Sequence, residues 1–211
     1  MIVKGIIPQL NISKNVCIVG SSSNVLKKDY AKLIDSFDEV IRFNRAPTKG
    51  YENEVGSKCT LRIVNHHTFV NARPDYKRFT KKGNPQDFVK KLRGQNVIVG
   101  NGNAKGRWEN RHKHLHSSCD GYFIHGSVYH RLKKNWQIKR QCSIGLIGIW
   151  VCIINGIVPH VFGFGVGEGD ATHYWEKRSP KTPCHNFSRE REVLTAWASG
   201  KYKNRKIILH T

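Results

Sequence analysis

Two periods of apolar and polar residues alternate along the first third of the chain. Val16–Val19 is a short β-rich apolar run that breaks at Gly20 into Ser21, Ser22, Ser23 and Asn24. A helical pattern follows from Leu26 to Leu33 and ends near Ser36, and a second β-rich run occupies Val40–Phe43. Strand, polar loop, helix, strand predicts half of an α/β nucleotide-binding unit. A loop that leaves a buried strand and enters a helix aims unpaired backbone N–H groups, here with three serine hydroxyls, at an anion. An ordinary βαβ turn has the same pattern. Arg42 and Asn44 interrupt the apolar end of the second strand, where open α/β sheets place their ligands.

Further along, Thr60–Val64 predicts a third strand. A Lys/Arg-rich stretch, 71–106, predicts one helix over Gln86–Leu92, one strand over Asn96–Val99 and otherwise a solvated basic surface. Leu146–Ile154 is apolar throughout and predicts a buried helix with Ser143 as its N-cap. Ile157–Phe162 predicts the next strand, ending in the small-residue turn Gly163-Phe164-Gly165. A flexible loop over Gly165–Gly169 follows, then a helical pattern from Glu190 to about Ala198 and a final strand over Lys206–His210. Residues 1–14 are expected to form an N-terminal arm and 15–211 a single domain, which suits a chain of 211 residues.

Charge adds what the pattern cannot. Thirty-six Lys and Arg against 15 Asp and Glu give +21, a field that attracts nucleotides, phosphorylated substrates, polyanions or an anionic membrane surface without choosing among them. No Asp or Glu occurs from Gly121 through Gly167. The aromatics among the basic residues of Tyr122–Trp136 carry no RNA- or DNA-binding motif, so no specific nucleic-acid partner is expected. No run approaches the roughly 18 apolar residues that span a bilayer, and the N-terminus does not read as a signal peptide. Both observations lead to the expectation of a soluble, cytoplasmic protein. Six scattered cysteines without a Cys-x-x-Cys pair read as reduced thiols. His112, His114 and His116 alternate, yet lack nearby ligands at metal-site spacing, and no metal is expected.

Four separate motifs then coincide. Gly20-Ser21-Ser22-Ser23-Asn24, the run from Ile34 through Arg42, Asn44 and Pro47 to Gly50, and Val55-Gly56-Ser57-Lys58-x-Thr60 closely resemble the large sialylmotif of the animal-type sialyltransferases. Ser143-Ile144-Gly145 through Gly163-Phe164-Gly165 resembles their small sialylmotif, His173-Tyr174-Trp175-Glu176 the third motif, and His185 with Glu190 the His-x-x-x-x-Glu of the very small motif. The motifs occur in the family's order over residues 16–190.

The resemblance implies an α/β, single-domain, Rossmann-like variant of the GT-A glycosyltransferase fold, with a central, mostly parallel sheet flanked by helices. It implies an inverting enzyme that transfers an acidic sugar, with sialic acid favoured, from a CMP-sugar donor to a glycan or glycolipid acceptor, without metal or other cofactor. The sequence contains no Asp-x-Asp. Carried onto matching positions, Ser21, Asn24 and Asn44 would lie near the donor phosphate and ribose. Ser143 and Gly145 would contact the donor, and Gly163, Phe164 and Gly165 would line the nucleotide pocket. His173 would hydrogen-bond the leaving phosphate and His185 would act as base, with Arg42, Tyr174, Trp175 and Glu190 in support. Three features depart from the family pattern: Ser21 replaces an asparagine, Ile144 replaces a threonine, and Cys17 with Gly156 does not reproduce the family's motif-linking disulfide. The alternatives are a CMP-Kdo-type transferase and a non-catalytic module binding nucleotide or nucleic acid.

Overall fold

The structure, a computed structural model, describes residues 12–65, 96–102, 121–165, 173–175 and 185–211. Its sheet is built outward on both sides from β1 (Val16–Val19), a strand with all four residues buried. Apolar side chains on both faces of a strand require layers on both sides, the usual condition of a parallel sheet. From β1 the sheet extends through β2 (Glu39–Phe43), β3 (Leu61–Asn65), β4 (Asn96–Gly102) and β5 (Gly121–His125). The chain then returns to the other side of β1 with β6 (His160–Phe162) and β7 (Ile208–Leu209). The order is β5-β4-β3-β2-β1-β6-β7, and every pairing is parallel. The direction of winding therefore reverses between β1 and β6, which opens a crevice at their carboxyl ends.

The helices divide between the faces. A 3-10 turn (Ser23–Lys27), α1 (Ala31–Ser36) and α2 (Glu52–Val55) cover Cys17, Val19, Val40 and Phe162 with Val25, Ile34 and Val55. On the opposite face α3 (Gly126–Asn135), α4 (Ile144–Ile154) and α5 (Phe187–Ala198) enclose Ile18, Ile41, Ile63, Leu132, Leu146 and Trp197. In α4 every residue from Gly145 to Ile153 is buried, the expected fate of a helix that is apolar all round. Gly148 brings α4 onto β2 and β3, since a Cβ there would lie 2.7 Å from the Phe43 ring and 2.9 Å from Ile63.

Most predicted elements are present, with shifted bounds. The helix over Leu26–Leu33 is replaced by the 3-10 turn and α1, separated by extended Lys28. The cause is local: the Ser22 hydroxyl caps the tight turn by accepting from Asn24 N at 3.4 Å, a bond that competes with α-helix. The strands β6 and β7 are shorter than expected, and α5 starts earlier because Asn186 caps it by accepting from Arg189 N at 3.2 Å. The pattern reading missed β5 and α3. The Gln86–Leu92 helix, the alternate histidines and most of the Gly165–Gly169 loop lie outside the described residues.

Two charged side chains hold the loop between α2 and β3. The Arg42 guanidinium, 1% exposed, donates from Nε to Lys58 O at 2.8 Å and from Nη2 to Val55 O at 2.7 Å and Gly56 O at 3.2 Å. Asp35 accepts from Ser57 N and Lys58 N at 2.9 Å each and from Ser57 Oγ at 3.0 Å. Burial alone would raise the Asp35 pKa, but these hydrogen bonds and the Arg42 charge hold it below its ordinary value. A depressed carboxyl pKa stabilises the fold above the unfolded value, about 4, and that contribution disappears as pH falls through the folded value. Asp35→Asn should therefore lower stability by about 1–3 kcal/mol at neutral pH in urea denaturation. The difference from the parent should close on acidification below about pH 4; a constant difference would show that the charge is not responsible.

Candidate active site

The crevice at the reversal is formed by backbone in close approach. Gly20 N donates to Phe162 O at 2.7 Å and Ser22 N to Gly163 O at 2.9 Å, joining the loops that leave β1 and β6. A Cβ on Gly20 would lie 2.3 Å from Gly163 O and 2.8 Å from the Phe164 ring, so the position admits only glycine. Gly163 has φ 68°, in the left-handed region where glycine carries no Cβ penalty. The Phe164 ring then crosses to α4, where a Cβ on Gly145 would meet it at 2.6 Å. The Gly20 loop, the Gly163–Gly165 turn and the amino end of α4 are thereby in mutual contact.

That helix end is clamped from behind by a carboxylate. Glu190, 5% exposed, accepts from Ser143 N at 2.6 Å and from Ser143 Oγ at 2.5 Å, while Ser143 Oγ accepts from Leu146 N at 3.1 Å. An anion at a helix amino terminus meets both the unpaired N–H groups and the positive end of the macrodipole. Here a side chain of the protein occupies that position. Burial raises the Glu190 pKa, and the Ser143 hydrogen bonds and His185 counteract it. Ser143, expected as a donor contact, thus has its N–H and hydroxyl hydrogen engaged by Glu190.

His185 lies just before α5, five residues ahead of Glu190. Its Nδ1 is 2.8 Å from Gln141 O, within an isolated bridge that pairs the two residues in parallel. A carbonyl only accepts, so Nδ1 carries the hydrogen, and in the neutral ring Nε2 keeps its lone pair. Gln141 was not foreseen, and no sequence signal marks a backbone carbonyl. The neighbouring Cys142 thiol is pushed up to about 12 by burial and the Glu190 charge, which leaves it neutral.

The third motif closes the other side. Tyr174 N donates to Ser21 O at 2.8 Å, and its hydroxyl donates to Pro47 O. Burial pushes the Tyr174 phenol up to about 12 against the opposing charges of Arg42 and Arg62, so it remains a donor. The His173 ring stacks on Trp175 with centroids 4.6 Å apart. Asn24 Oδ1 is buried and has no hydrogen-bond partner among the described residues. Asn44 adopts φ 43° and accepts at Oδ1 from Asn65 N at 2.9 Å, tying the carboxyl ends of β2 and β3. Its neighbour Arg45 is half-buried, and burial lowers its pKa. Arg42 points into the loop after α2 rather than into the crevice. No group of three or more metal-ligating side chains occurs among the described residues.

A parallel sheet whose winding reverses between β1 and β6, with a crevice at that reversal, is a Rossmann-like α/β architecture. The model of glycosyltransferase family 29 (sialyltransferase) matches residues 11–201, and the chain belongs to that family. Among its relatives, beta-galactoside alpha-2,6-sialyltransferase 2 of Takifugu rubripes is 41% identical over 64 residues, 30% of this chain and 12% of that protein. The human protein of that name is 43% identical over 58 residues, 28% and 11% of the two chains. Two structures of a mammalian sialyltransferase, one in complex with Gal-beta-1-3GalNAc-ortho-nitrophenol, superpose with TM-scores of 0.60 and 0.63 at 22% identity. Each superposition covers 92% of this chain and 68% of the other.

These matches correct one expectation. The cytoplasmic address does not stand: the chain belongs to the sialyltransferase family, and the relatives it matches bear the name beta-galactoside alpha-2,6-sialyltransferase. The expectation rested on the apolar pattern and the N-terminal residues, and the match to the Takifugu rubripes protein spans 12% of that relative's length. Among the described residues no helix is long and apolar enough to cross a membrane.

The clamp itself is testable. Glu190→Ala should cost about 1–3 kcal/mol in urea denaturation by leaving Ser143 N–H unpaired. Against Glu190→Gln, the parent's relative stability should be greatest below the ordinary glutamate pKa, about 4.3, and fall as pH rises through the raised folded value. A difference that grows with pH would contradict the assignment.

Proposed function

We propose that the chain is the catalytic domain of an inverting sialyltransferase that moves sialic acid from CMP-sialic acid to a hydroxyl of a glycan or glycolipid acceptor. The observation that carries this reading is the contact of three donor-type elements, the Gly20 loop, the Gly163–Gly165 turn and the amino end of α4, beside a histidine with its tautomer set by Gln141 O. Asn24 supplies a buried acceptor that suits a ribose hydroxyl. In this reading Ser21, Asn44, Gly145 and Phe164 border the nucleotide.

The acceptor oxygen attacks the anomeric carbon on the face opposite CMP. Its proton passes to Nε2 of His185, and the bond from that carbon to the phosphate oxygen breaks with its electron pair staying on CMP. The transition state is oxocarbenium-like, with charge gathering on the phosphate. His173 and the first-turn amides of α4 meet that charge as preorganised donors. Tyr174 and Trp175 position His173, and Glu190 positions α5 and with it His185. Arg42 acts further back by fixing the loop beneath Tyr174. No residue in this scheme needs a metal or other cofactor as partner.

Thermal unfolding with CMP, UMP and a short oligonucleotide tests the donor half, since a ligand of the native state raises the midpoint. CMP is expected to stabilise most; stabilisation by oligonucleotide alone would overturn the reading. Turnover should be faster with CMP-Neu5Ac than with CMP-Kdo, and His185→Ala should lose about a hundredfold or more in rate while keeping the CMP shift. Loss of turnover together with the CMP shift would instead make His185 a structural residue.

A further inference from the structure

The edge of the sheet opposite the crevice has its own chemistry. All strands are parallel, so the amino ends of β6 and β7 and the carboxyl ends of α4 and α5 share one pole, away from the loops that bind the donor. At this pole Ile154 ends α4, Val158 precedes β6 and Ile208 begins β7, and they are 41%, 43% and 40% exposed. Ile208 N bonds to Pro159 O at 3.0 Å, which sets the two strand starts side by side. Next to these aliphatics are Lys201, Lys203 and Lys206, all exposed, with Arg205 over the rings of Trp136 and Trp150 at 5.7 and 5.4 Å. Trp136 packs on Tyr202 at 4.9 Å and so joins the carboxyl end of α3, with Lys133 and Lys134, to the same basic face.

No Asp or Glu occurs in 193–211, which contribute Lys201, Lys203, Arg205 and Lys206 to this part of the surface, with Lys133 and Lys134 at the end of α3. Among the described residues the carboxylates farther along this edge, Asp35, Asp38 and Glu39 on the β2 side, accept hydrogen bonds from Ser57, Ser13 and Thr60.

We infer that this pole is a peripheral docking surface for an anionic phospholipid bilayer, with Ile154, Val158 and Ile208 as a shallow apolar wedge inside a rim of lysines. Exposed aliphatics ringed by cations combine the two attractions of interfacial binding, apolar insertion and charge. A nucleic acid fits less well. Trp136, Trp150 and Trp197 are 6%, 5% and 0% exposed and face one another or Arg205, which removes them as stacking platforms for bases. Docking through this pole leaves the crevice pointing away from the bilayer, open to donor and acceptor.

Sedimentation with vesicles tests the surface. Vesicles of phosphatidylcholine with about a third phosphatidylserine should bind at least roughly tenfold more protein than phosphatidylcholine alone, and added salt should weaken the binding. Each cation is worth about fivefold, so the triple variant Lys201→Glu, Lys203→Glu, Lys206→Glu should lose roughly a hundredfold or more. Ile154→Ser with Val158→Ser should lose roughly tenfold at unchanged charge. Thermal midpoints near the parent's verify that both variants fold. Equal binding to neutral vesicles, parent-like binding by either variant, or capture of duplex DNA without capture of anionic vesicles would overturn the inference.

Discussion

The contact between Gly20 and Gly163 is the constraint on which the rest of the site depends. Strand ends release backbone N–H and C=O groups that must find partners. Here the ends of β1 and β6 satisfy each other, with Gly20 N on Phe162 O and Ser22 N on Gly163 O. The approach is too close for a Cβ on Gly20. Because the two loops are fused in this way, the Phe164 ring has one place to go, against Gly145 of α4. The Ser21 carbonyl faces outward to receive Tyr174 N. Residues from three distant parts of the chain are thus held by backbone geometry, and groups so fixed need no reorganisation when charge develops near them.

The Glu190 clamp divides the work at the amino end of α4. A buried carboxylate beside another anion would be repelled, so a phosphate cannot share the Ser143 side of the helix end with ionised Glu190. In the proposed reaction it approaches from the side of Gly145, where the absence of a side chain lets the Phe164 ring pack against the helix end. The same clamp fixes α5, and therefore the distance from His185 to α4, through two short hydrogen bonds. In the proposed reaction, donor and base are thereby registered to each other through one side chain that need not touch either.

Much of this was legible in the sequence, for physical reasons that differ by element. The apolar runs of β1, β2, β3 and α4 are buried on all sides, so their composition alone marks them. Ser143 reads as an N-cap because a hydroxyl before an apolar helix has few other uses. By contrast, α3 carries its buried residues, Val128, Tyr129 and Leu132, among lysines and arginines, and the charge hides the period. The 3-10 turn after Gly20 depends on the Ser22 hydroxyl winning over the helical pattern of Leu26–Leu33, a competition that periodicity does not register. Arg42 reads as a ligand contact because it sits at a strand end. Only the fold shows three carbonyls converging on its guanidinium.

The charge balance also has a different meaning at the two poles. The arginines at the ends of β2 and β3 are largely committed to backbone: Arg42 to the carbonyls of residues 55, 56 and 58, and Arg62 to Asn44 O at 3.0 Å and Ala46 O at 3.3 Å. Around the crevice the described groups are amides, hydroxyls, asparagine oxygens and two histidines, with Glu190 buried behind the amino end of α4 and Arg45 half-buried beside Asn44. In the proposed function, recognition of an anionic donor there rests on fixed dipoles at short range, which salt screens little. The lysines at the opposite pole stand exposed in water, where attraction reaches about one Debye length and weakens as salt is added. The net charge of +21 is a long-range field that gathers anions to the whole surface, distinct in range from the backbone dipoles fixed around the crevice.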